Sequence, residues 1–189
     1  NTRITLMDSI GEIHLPDTFL SVTDDQWLTS QSMPGTPLSV WDTRELAAGI
    51  TLVEPRLPVI YGSNNRPDIQ KDSIITLPID IFGSAFFMLT RYEEVVTADR
   101  DEHERFPAWA SVAYQENFLD RPIVDEYVEV LWAAISQLWP QLKRREHQFR
   151  AFVTCDVDSA ISFRGSWKRV IKTLGGDLVK RKSPALAVC

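Results

Sequence analysis

The chain is poor in the residues that build metal knuckles and disulfide frameworks. It has two cysteines and three histidines in 189 residues. Cys155 and Cys189 are too few and too far apart for a disulfide scaffold or a zinc knuckle. His14, His103 and His147 are scattered, and no H-x-x-x-H pair occurs. No apolar run approaches the ~18 residues of a membrane span. The opening "NTRITLMDSIGEIHLP" lacks a basic region followed by an apolar core, so it is not a signal peptide. With neither leader nor span visible in these residues, the compartment is left open, with the cytoplasm as the default expectation.

What is present is ordinary globular composition, 44% hydrophobic and 24% charged. The charge is uneven. Residues 1–142 carry 9 Lys+Arg against 22 Asp+Glu, while residues 143–189 carry 11 against 4. The basic residues of the second part alternate with apolar ones in "SWKRVIKTLGGDLVKRK", which reads as an amphipathic helix and not as a nucleic-acid arm. The break therefore marks a domain boundary near residue 143. The expected organisation is residues 1–145 as one domain and 146–189 as the start of another.

The first domain reads as mixed α/β. "RITLM", "EIHL", "LSVW" and "GITLVE" are short β-type runs, separated by the turn chemistry of "MPGTP", "EPRLP" and "YGSNN". "SIITLPIDI" reads as a buried strand leading into the helix "DIFGSAFFMLTRYEE", with Phe82, Ala85, Phe86 and Leu89 on one apolar face. Gly83 within that helix implies close approach of another element. The Glu93–Glu94 pair reads as a solvated helix end. A long polar segment with embedded aromatics follows. In it, His103 lies among acidic residues but has no second histidine at ligand spacing. The next helix is capped by Asp120 with Pro122 in its first turn, and buries Val124, Tyr127, Val128, Leu131, Ile135 and Leu138, flanked by Trp132 and Trp139.

The chemistry-bearing stretch is "FRAFVTCDVDSA", residues 149–160. An apolar strand ends in Asp156 and Asp158. On a strand, residues i and i+2 share a face about 6.5 Å apart. The C-terminal end of a strand is where α/β folds bind ligands. Two carboxylates there are stable together when a cation joins them. A divalent metal would let one carboxylate ligate it while the other takes a proton from the metal-activated water. Strand-end carboxylates accepting backbone N–H bonds are the alternative. An aspartyl-nucleophile phosphatase, with Asp156 as nucleophile and Asp158 as acid/base, is another.

"DIFGSAFFMLTRYEE", "DEHERFPAWASVAYQENFLDRPIVDEYVEVLW" and "FVTCDVDSA", in this order, resemble a bacterial polysaccharide deacetylase-like protein of the NodB-homology type, whose catalytic domain follows an uncharacterised domain. The resemblance covers roughly residues 10–189 and implies the beginning of a (β/α) barrel after residue 146. It implies that Thr154 matches the threonine of a T-x-D-D motif, Asp156 the general base and Asp158 a ligand of a divalent metal, usually zinc. The substrate class implied is an acetylated carbohydrate polymer, with no nucleic acid and no membrane span. This sequence departs from the pattern in three ways: Val157 separates the two aspartates, Cys155 stands where D-x-D members often have His, and the later histidine pair is absent. The expectation is a fragment: an accessory α/β domain plus the first strand–helix unit of a truncated barrel, inactive by itself because zinc would lack its histidines. A glycan- or protein-binding role for residues 1–145 is the non-catalytic alternative.

Overall fold

The computed structural model describes residues 1–47, 50–70, 73–145, 148–154, 168, 171 and 172. The chain divides into two compact units, Asn1–Arg144 and Arg145–Cys189.

The first unit is mixed α/β. Its main sheet has four strands: β1 (Thr2–Thr5), β2 (Glu12–Leu15), and, later in the chain, β5 (Asp68–Gln70) and β6 (Ile74–Thr76). A separate two-stranded ribbon pairs β3 (Ser39–Asp42) with β4 (Arg56–Val59). Four helices accompany them: α1 (Ile81–Leu89), α2 (Tyr92–Val96), α3 (Val112–Gln115) and α4 (Ile123–Leu138). The sheet order is β1-β2-β6-β5. β2 runs parallel to β6, and the two outer pairings are antiparallel. Alternation along β2 sends Ile13 and Leu15 into the core and leaves Glu12 and His14 on the open face. Ile75 and Leu77 extend the same buried layer, against which α4 packs.

The β4 strand falls where "EPRLP" suggested a turn, and 50–54, expected as a strand, has none. A proline suits this ribbon because only one neighbour has to be paired. Pro58 lies opposite Val40 and its carbonyl accepts from the Tyr127 hydroxyl at 2.7 Å.

The expected 80–94 helix is two helices. Arg91 adopts φ 54°, ψ 41°, which ends α1 and starts α2. The buried face of α1 is also not the expected one. Ile81, Gly83, Ser84 and Phe87 face inward, while Phe82, Phe86 and Leu89 are exposed. Apolar residues on every side made the stripe ambiguous, and the orientation is set instead by Asp80 and Gly83. Asp80 caps the helix, its Oδ1 accepting from Gly83 N–H at 2.8 Å. A Cβ on Gly83 would lie 2.6 Å from the Phe19 Cβ, so the close approach read from the sequence is real.

Pro122, not Asp120, occupies the cap position of α4, without a side-chain cap bond, and Asp120 is exposed. Asp125 and Glu126 provide negative charge in the first turn. Tyr127 is at the centre of the buried stripe as expected, joined by Ile123, Val130 and Ala134, whereas Val128 is exposed. Trp139, at the end of α4, lies over Gly11 at the start of β2, where a Cβ would be 3.2 Å from the indole nitrogen.

In the second unit, residues 148–154 carry no strand, and Phe149, Phe152 and Val153 are exposed. Lys168, Ile171 and Lys172 are helical. Among the described residues no helix is long and apolar enough to cross a membrane.

Candidate functional site

Thr154 is exposed and outside any strand. Asp156, the expected base, and Asp158, the expected metal ligand, lie outside the described residues, as do Cys155, His147 and Cys189. Among the described residues, no group of three or more His, Cys, Asp or Glu side chains is placed to hold a metal ion. His103 is exposed; its ring lies 3.5 Å from Glu102 and its backbone N–H donates to Asp101 Oδ1 at 2.8 Å.

The acidic groups buried in the first unit serve the fold. Asp80 is 2% exposed, and its second oxygen accepts from the N–H groups of Thr18 and Phe19 at 2.8 and 2.9 Å. One carboxylate thus caps α1 and fixes the loop after β2. Glu126 accepts from Val53 N–H at 2.8 Å and from the Arg121 guanidinium through both oxygens at 3.0 Å. Arg121 also donates to the carbonyls of Glu54 and Arg56, tying the 53–56 segment to α4. Glu93, expected to be solvated, accepts from Val112 N–H at 2.8 Å. Burial raises its pKa, and the nearby Glu94 charge adds to the rise; the Val112 bond opposes it. Tyr61 and Tyr127 are pushed well above the usual phenol range, chiefly by burial. Their hydroxyls donate to the Ser32 and Pro58 carbonyls. These phenols are structural donors.

Two clefts remain. The wider, about 540 Å³, runs between Leu46, Ala47, Ile50 and Thr51 on one side and α4 on the other, with Trp132, Glu129 and Gln137 on its wall. The Glu129 carboxylate there is held by Arg144 at 2.5 Å.

The second cleft, about 290 Å³, lies beyond the C-terminal ends of the parallel strands β2 and β6. Asn1, His14, Ser63, Asn65, Arg66, Asp68 and Thr76 are its polar residues, over Pro16 and Pro78. His14 Nε2 lies 2.7 Å from Glu12 Oε2, two residues back on the same face of β2. Glu12 also meets Arg3 at 3.4 Å. A carboxylate only accepts, so a neutral His14 carries its proton on Nε2 and leaves Nδ1 as an acceptor. The pairing was within reach of the sequence, because alternation in "EIHL" puts Glu12 and His14 on one face. Arg66, in the loop before β5, and Asp68, the first residue of β5, share the cleft with them, and their position depends on the later strands.

Residues 9–140 match the family described as a family of unknown function (DUF7033), and the chain belongs to that family. No curated protein and no solved structure matches the chain.

Proposed function

We propose that the Asn1–Arg144 unit is a non-catalytic accessory domain and that the chemistry resides in Asp156 and Asp158, as part of a metal-dependent carbohydrate deacetylase. Asp156 acts as general base, and Asp158 ligates a divalent metal, zinc by the likeness of the motif. The metal would supply a nucleophilic water at neutral pH. The observation carrying the reading is the T-x-D-x-D run Thr154–Asp158 after an apolar segment, following the two long motifs quoted above. The first unit supports it from the other side. Its buried carboxylates, Asp80 and Glu126, are engaged with backbone N–H groups and Arg121, as befits a scaffold.

The test is acetate release from acetylated chito-oligosaccharides by the product of the complete reading frame, with and without added zinc. Metal-dependent release should fall by about 10²–10⁴ in Asp156→Asn, the scale of a lost general base. Asp158→Asn should bind less metal. No release with zinc present, or release untouched by both substitutions, overturns the proposal. Hydrolysis of p-nitrophenyl phosphate that disappears in Asp156→Asn would replace it with the aspartyl-nucleophile phosphatase.

A further inference from the structure

The cleft at the ends of β2 and β6 has the donor, acceptor and charge pattern of a binding site, and it involves neither Asp156 nor Asp158. Its lining side chains bring both signs of charge, Arg66 (also 3.4 Å from Glu45) and Asp68, while the Glu12 carboxylate beside His14 is paired with Arg3. An anionic ligand would meet the Asp68 carboxylate, and a cationic one would meet Arg66. A neutral ligand meets neither penalty. The polar groups are also mixed in kind. Asp68 only accepts, Arg66 only donates, and Ser63, Thr76 and Asn65 do both. A ligand that satisfies all of them must itself both donate and accept at several points, as hydroxyl groups do.

The register sets the span. His14 pairs with Thr76, and Thr76 pairs with Asp68, so His14 and Asp68 stand at opposite sides with one strand between them. Two strand spacings are about 9.5 Å. A single phosphate or acetate is too small to reach both. A six-membered ring carrying hydroxyls on opposite edges bridges them and lies over Thr76. Pro16, which follows β2 and is partly exposed, offers an apolar surface to the ring's C–H face. The Glu12 contact fixes the imidazole of His14 through Nε2, so that Nδ1 is an oriented hydrogen-bonding atom and not a free rotor.

The geometry points to a carbohydrate-binding site in this cleft, taking one neutral sugar ring between His14 and Asp68. It is independent of the deacetylase reading and survives if that reading fails.

The test uses the whole chain, labelled with ¹⁵N, and follows backbone amide shifts during titration with triacetylchitotriose, cellotriose and, separately, inorganic phosphate. At least one sugar should cause saturable shifts at 63–68, His14 and Thr76–Leu77, and phosphate should cause none there. Asp68→Ala and His14→Ala alter side chains on the open face and should leave the rest of the spectrum in place. Each should weaken sugar binding tenfold or more. The proposal is overturned if phosphate saturates the cleft and the sugars do not, if sugar shifts map elsewhere, or if neither sugar shifts it at about 50 mM, enough to populate a millimolar Kd. It is equally overturned if both variants bind as tightly as the parent.

Discussion

The Asp80 carboxylate occupies the space a side chain on Gly83 would need: its Oδ2 lies 2.4 Å from where a Cβ would stand, while its Oδ1 takes the Gly83 N–H. The glycine and the aspartate are therefore one device.

Gly83→Ala should destabilise the protein. In an open helix interior the same change stabilises by about 1 kcal/mol. Here the methyl group meets Phe19 and Asp80, and overpacking of this kind costs about 1–3 kcal/mol. Urea unfolding followed by tryptophan fluorescence reads the difference. A variant as stable as the parent would show that the two elements do not approach this closely.

Arg121 and Glu126 should be costly to break singly and cheaper to replace together. Their side chains are 9% and 3% exposed. Removing either partner leaves a buried charge and unpaired backbone groups, a loss of about 3–5 kcal/mol. Arg121→Met with Glu126→Leu should cost less than the sum of the two single changes. Denaturation of all four proteins closes the cycle, and strict additivity would mean the pair is not coupled.

Glu93 should make stability depend on pH in the direction opposite to a salt-bridged acid. Its folded pKa lies above the unfolded value because burial disfavours the charge. The folded state therefore binds the proton more tightly, and that contribution is present below the unfolded pKa and lost as pH rises through the folded one. Glu93→Gln keeps an acceptor for Val112 N–H and removes the titration. The Tm of the variant relative to the parent should rise between pH 4 and pH 7. A constant difference across that range would rule out Glu93 as the titrating group.

The parts of the fold written locally were readable, and those depending on distant partners were not. Tyr127 in the stripe of α4 follows from helical spacing, and Gly83 announced a close approach because nothing else justifies it inside a helix. The inward face of α1 could not be read, since Phe82 and Phe86 look as apolar as Phe87 and the choice is made by Thr18 and Phe19 some sixty residues earlier. β4 was hidden by Pro55 just before it and Pro58 within it, which a two-stranded ribbon tolerates. The candidate sugar cleft was half visible. "EIHL" pairs Glu12 with His14, but only the parallel pairing of β2 with β6 brings Thr76 beside His14, and only the antiparallel pairing of β6 with β5 brings Asp68 beyond it.

Gly11 and Trp139 touch, although they stand near the two ends of the family-matched segment. A body whose entrance and exit coincide can be inserted into, or removed from, a longer polypeptide with little rearrangement of what lies on either side. The segment thus has the geometry of a cassette, one that a longer polypeptide accommodates without drawing its flanks apart.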